Sequence, residues 1–95
     1  MKYENMVIFK DTLTEDEIES EHKILQDIIN KNEGEILEHN IWGKQKLAYP
    51  IQKNEYGFYV VNQFNISKDG LKQLQRHYKY NENILRTNLL LKQRS

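Results

Sequence analysis

A single proline sets the first constraint on this chain. Pro50 sits in the run Trp42-Gly43-Lys44-Gln45-Lys46-Leu47-Ala48-Tyr49-Pro50-Ile51, where apolar residues alternate. Proline has no N–H to give a ladder, so such a strand belongs at a sheet edge. Read with a period of two, Ile41, Leu47, Tyr49 and Ile51 share one face, and Trp42, Lys44, Lys46, Ala48 and Pro50 share the other. Gly43 inside the run predicts a bulge. The lysines on this edge have two readings. They blunt it against unwanted pairing, or they form a ribbon that contacts phosphates.

The rest of the chain supplies partners for that edge. Tyr3 to Phe9 is apolar on both faces and reads as a central strand. After a turn at Asp11-Thr12, Thr14 and Glu17 have the spacing of a capping box, and Leu13 and Ile18 that of a hydrophobic staple. Ile18, Leu25, Ile28 and Ile29 form the stripe of a first helix, with Ile24 beside it. Gly34 is expected to end it as a left-handed cap. The second strand is predicted over Glu35–Lys53, with a hairpin connection at Asn54-Glu55-Tyr56-Gly57. Phe58, Val60, Phe64 and Ile66 mark one face of a third strand, interrupted by Asn62. Ser67 caps a second helix that carries Leu71, Leu74 and Tyr78. Ile84 to Lys92 is the last strand, followed by a polar tail, Gln93-Arg94-Ser95.

This order is the α+β, ferredoxin-like split β-α-β pattern (βαββαβ), expected here as one domain over residues 1–95. Right-handed crossovers place both helices on one face of a four-stranded antiparallel sheet. Strands one and three are then central and strands two and four are edges, in agreement with Pro50. Strict alternation assigns Val7, Phe9, Leu47, Tyr49, Phe58, Val60, Phe64, Leu85 and Leu89 to the helix-covered face. It assigns Met6, Ile8, Trp42, Lys44, Lys46, Tyr59, Val61, Arg86 and Leu90 to the open face, whose apolar groups invite a partner.

Composition narrows the chemistry. Cysteine is absent, so disulfides and thiolate sites are excluded. No apolar run approaches the ~20 residues of a membrane helix. The strand-like start at Tyr3 leaves no room for a targeting peptide, and a cytoplasmic location is the default expectation. The net charge is zero, yet residues 1–42 hold 11 acids and 4 bases while residues 43–95 hold 3 acids and 10 bases. Such asymmetry suggests a surface for a polyanion. A neutral chain nevertheless grips nucleic acid weakly by itself, because affinity scales with the phosphates neutralised.

An enzyme is not expected. His22, His39 and His77 have no metal-ligand spacing, and the connection Lys10-Asp11-Thr12-Leu13 is not a phosphate loop. Small-molecule-sensing domains of the ACT type share the topology but bind near a glycine-bearing first turn, which is missing. An RNA-recognition motif also shares it. The segment Tyr56-Gly57-Phe58-Tyr59-Val60-Val61-Asn62-Gln63 matches only the glycine and first aromatic of its third-strand signature. Phe58 also has core parity, whereas stacking rings point outward.

The stretch from Gly43 through Lys44, Gln45 and Lys46 to Leu47-Ala48-Tyr49-Pro50-Ile51 resembles the signature of the sixth protein of the bacterial small ribosomal subunit. That signature is a glycine, a basic-rich triplet, then Leu-Ala-Tyr-Pro-Ile. Tyr3-Glu4, Gly57-Phe58-Tyr59, and Asn83 with Arg86 extend the likeness over essentially the whole chain. Many members carry a charged tail beyond the last strand, whereas this sequence stops at Ser95. The resemblance implies a non-enzymatic ribosomal protein without cofactors. Its expected partners are the central domain of small-subunit rRNA and the eighteenth protein of the same subunit, as a heterodimer. It raises the phosphate reading of Lys44, Lys46 and Arg86, with Lys2 and Lys92 as weaker candidates. Trp42, Tyr59, Met6 and Leu90 are the candidate partner contacts.

Overall fold

Alternation over Tyr3–Phe9 builds β1 (Lys2–Lys10), the strand that every other layer touches. The remaining elements are α1 (Glu15–Lys31), β2 (Glu35–Ile51), β3 (Asn54–Asn65), α2 (Lys68–Lys79) and β4 (Ile84–Leu91). This computed structural model describes residues 1–92; the expected polar tail, Gln93-Arg94-Ser95, lies outside the described residues. Within them the sheet is four-stranded and antiparallel, in the order β2-β3-β1-β4. The expected ferredoxin-like architecture is thus present, and β2 is an edge.

The helices form for the local reasons anticipated. The Thr14 N–H donates to Glu17 Oε1 at 2.9 Å and the Glu17 N–H donates to Thr14 Oγ1 at 3.2 Å, closing the capping box. At α2 the Gly70 N–H donates to Ser67 Oγ at 3.1 Å. Leu25, Ile29 and Leu74 pack with Tyr3, Phe64 and Ile66 in one buried cluster, and Ile18 packs with Val7, Phe9 and Val60 in the next. Both helices therefore cover the face carried by Tyr3, Val7, Phe9, Val60 and Phe64.

Two local expectations are corrected. The left-handed residue after α1 is Glu33 (φ 58°), not Gly34. Gly34 is required for a different reason: a Cβ there would strike the Asn65 carbonyl and meet Ile29 Cγ2 at 3.0 Å. The hairpin turn falls at Gln52-Lys53, both left-handed (φ 49° and 68°), with Ile51 opposite Asn54. Asn54 Nδ2 donates to the Ile51 and Gln52 carbonyls, each at 3.1 Å, and holds that turn without a glycine.

The largest correction concerns which face β2 and β4 present. The β2–β3 register shifts between Ile36 and Glu38, between Ile41 and Gly43, and between Lys46 and Ile51. Each single extra residue flips side-chain parity. Gly43 supplies the positive φ (84°) for the middle bulge, as expected. Lys44 consequently pairs with Phe58 and Lys46 with Tyr56, on the helix side, not with Arg86 on the open side. Another shift between Ile8 and Phe9 leaves Leu85 as the extra residue of β4. Leu47 and Leu85 are buried, but against Ile8 on the open face, with Ile51 and Tyr59 packed around them. Tyr49 is not a core residue at all: it is 54% exposed.

Candidate interaction surface

The last residues of β2 account for the family-like motif. Leaving the regular ladder after Lys46, the chain brings Leu47 onto Ile8 of β1 and Leu85 of β4. Its tip thus crosses the open face from one edge to the other. Gly57 lies beneath this crossing, where a Cβ would collide with Ile8 Cγ2 and meet Leu47 Cδ2 at 3.3 Å. At the far side, Arg86 Nη1 donates to the Tyr49 hydroxyl, and its guanidinium carbon lies 5.3 Å from the centre of the Tyr49 ring. Leu47, Tyr49, Gly57 and Arg86 are therefore parts of one closure, which covers one end of the open face.

The five candidate phosphate contacts do not form a single patch. Lys44 pairs with Asp11 at 3.4 Å and lies 4.8 Å from the Tyr56 ring centre, so part of its charge is already answered. Lys46 is exposed opposite Tyr56. Arg86 is exposed but engaged with Tyr49. Lys2 and Lys92 are joined by their backbones, the Lys92 N–H donating to the Lys2 carbonyl at 2.8 Å. They lie at the Lys2 end of β1, about 27 Å from its Lys10 end, near which the other three cluster.

Among the candidate partner contacts, Trp42 occupies the Gly43 bulge and is 56% exposed. Met6 and Leu90 share the open face, paired with Val61 and Asn88 and with Glu4 respectively. Tyr59 is on the same face but packs against the Leu47 closure, so it has a structural role there as well. Phe58 faces the helices as expected, which removes the outward ring that an RNA-recognition motif would use.

Alternation did not reveal the polar contacts on the helix-covered side. Asn5 and Asn62 are buried at core positions. The Tyr78 hydroxyl donates to Asn5 Oδ1 at 2.7 Å, and Asn5 Nδ2 donates to the Asn88 carbonyl at 3.3 Å. Burial, reinforced by the Glu21 carboxylate, pushes the Tyr78 pKa upward, so the hydroxyl remains a donor. His39 Nδ1 and Asn62 Oδ1 lie 2.6 Å apart, with the ring nitrogen as donor. The His39 ring stacks on His22 of α1 with centroids 3.6 Å apart. Burial first, and the neighbouring His39 second, lower the His22 pKa. A polar residue at core parity needs a partner, and that was the available signal for these contacts. Among the described residues, no group of three or more His, Cys, Asp or Glu is placed to hold a metal, and no helix is long and apolar enough to cross a membrane.

Comparison with known proteins agrees with this arrangement. Residues 2–90 match the family described as Ribosomal protein S6. A small ribosomal subunit protein bS6 from Sulfurimonas denitrificans is 39% identical over 84 residues, which are 88% of this chain and 61% of that protein. The bS6 of Caldanaerobacter subterraneus subsp. tengcongensis is also 39% identical over 84 residues, 88% of each chain. The crystal structure of 30S ribosomal protein S6 from Thermotoga maritima superposes with a TM-score of 0.85 at 29% identity, covering 94% of this chain and 84% of that one. The chain thus spans about three fifths of the first of these relatives and most of the others. With the motif closure, the fold and these likenesses in agreement, the chain belongs to the ribosomal protein S6 family.

Proposed function

We propose that the protein is a structural, non-enzymatic component of the small ribosomal subunit. In this reading it binds the central domain of small-subunit rRNA as a heterodimer with the eighteenth small-subunit protein. The observation that carries the proposal is the family match over residues 2–90, within which the motif residues build one closure. Charge supports the need for a partner: a chain of zero net charge neutralises few phosphates alone. A basic partner supplies the remainder.

Lys46, Lys44 and Arg86 are the proposed phosphate contacts at one end of the sheet, with Lys2 and Lys92 at the other. Lys46 carries the largest share, because Asp11 and Tyr49 already engage its two neighbours. Trp42, Met6, Leu90 and the exposed part of Tyr59 are the proposed protein contacts. The test is a salt titration of the heterodimer on a central-domain RNA fragment. Lys46→Ala is expected to lower affinity whatever the nearby bases and to reduce the salt slope by ~0.7–0.9. Unchanged slopes for Lys46→Ala, Lys44→Ala and Arg86→Ala would return these side chains to edge protection. Failure of the parent pair to bind the fragment would overturn the proposed function.

A further inference from the structure

We infer that the groove between α1 and the outer edge of β2 docks an extended, basic segment of a partner protein, which adds to β2 as a fifth strand. Its walls are Leu13, Ile18, Ile41 and Phe58, its mouth carries Glu15 and Glu19, and its volume is about 490 Å³. Among the described residues β2 pairs only with β3, which leaves its outer edge open to another strand. Along that edge Leu37, Ile41 and Trp42 are all exposed apolar side chains.

Charge decides the kind of occupant. α1 contains six acids and two bases, and its first turn holds Glu15, Asp16 and Glu17. A phosphate backbone is repelled by that surface, while Lys or Arg side chains are attracted to it. The nearest strand cation, Lys44, is already paired with Asp11 and does not offset the carboxylates at the mouth. Inside, His22 Nδ1 is buried with no hydrogen-bond partner, the one such side-chain atom among the described residues. A polar group entering between α1 and β2 would satisfy it. An arm that alternates apolar and basic residues fits both features: one set of side chains enters the groove, and the other meets Glu15 and Glu19.

Beyond the protein contacts already proposed at Trp42, Met6, Leu90 and Tyr59, the groove is a second, separate place for a basic segment of that same partner, and the inference rests on the proposed function for its biological occupant. Its test is separate. The full chain, isotopically labelled, is titrated with a ten-residue peptide alternating Val and Lys, with its Val/Glu counterpart, and with a short oligouridine. The expected result is saturable shifts of the Leu37–Trp42 and Glu15–His22 amides with the Val/Lys peptide alone. Glu15→Lys/Glu19→Lys, on a helix face that tolerates charge, is expected to weaken that binding at least ~10-fold. Absence of shifts, shifts on the Met6–Leu90 face, equal binding of the acidic peptide, or displacement of the same amides by oligouridine would each overturn it. So would concentration-dependent self-association through β2, which would assign the groove to a second copy. Loss of heterodimer formation with intact peptide binding would strike the proposed function instead.

Discussion

The two faces of the sheet bury apolar surface by different means. On one, two helices bring Ile18, Leu25, Ile29 and Leu74 onto Tyr3, Val7, Phe9, Val60 and Phe64. On the other the described residues place no helix, and the chain folds the tip of its own second strand over Ile8 and Leu85 through Leu47. The first cover is thick and continuous. The second is a single segment that ends in the exposed Tyr49–Arg86 contact and leaves Met6 and Leu90 beyond it. The difference teaches that the family-like motif is first a structural device: Leu47 covers Ile8 and Leu85, and Tyr49 engages Arg86.

Substitutions on the two faces should separate these covers. Phe64, fully buried beneath both helices, has the largest expected effect. Phe64→Ala should cost ~3–5 kcal/mol, read as a shifted denaturation midpoint. Leu47→Ala should cost ~2–3 kcal/mol and selectively expose β2-tip and β4 amides to exchange. A cost below ~0.5 kcal/mol, as for an ordinary surface change, would mean the tip does not close the open face. A double-mutant cycle between Tyr49→Ala and Arg86→Ala should give a coupling of ~0.5–1 kcal/mol, as for an exposed cation–π pair.

Much of this architecture was legible in the sequence. Thr14 and Glu17, Ser67, Gly43 and Pro50 each have a local cause for what they do, and all four expectations hold. Parity in β2 and β4 was not legible beyond the bulges. The extra residues Leu37 and Leu85 carry no sequence signal as clear as the Gly43 beside Trp42, yet each of the three reverses every side chain that follows. That is why Tyr49 was expected in the core and Lys44 beside Arg86. The Gln52-Lys53 turn escaped notice because neither residue is a usual left-handed one. The His22–His39 stack joins residues 17 positions apart on different elements, a pairing that periodicity does not reveal.

Two smaller effects sharpen the contrast. The folded His22 has a pKa below its ordinary value of 6.5, so the unfolded chain binds more protons as the solution is acidified. Its contribution is fully present above pH 6.5 and is lost as pH falls from there through the lowered folded value. Denaturation at pH 7.5 and at pH 5 should show this loss, and His22→Gln should reduce it; an equal loss in the variant would assign it elsewhere. The smallest effect is expected at the exposed Lys44–Asp11 pair, where Lys44→Ala should change stability by ~0–1 kcal/mol and less at high salt.

The central claim is that this fold serves the small ribosomal subunit, and sedimentation tests it most directly. Lysate from the protein's own cells is run through a sucrose gradient at moderate salt, and the chain is quantified in each fraction. The account predicts co-migration with small subunits, and release from them by Trp42→Ala together with Lys46→Ala. Recovery of the parent chain only at the top of the gradient, with intact small subunits lower down, would contradict it.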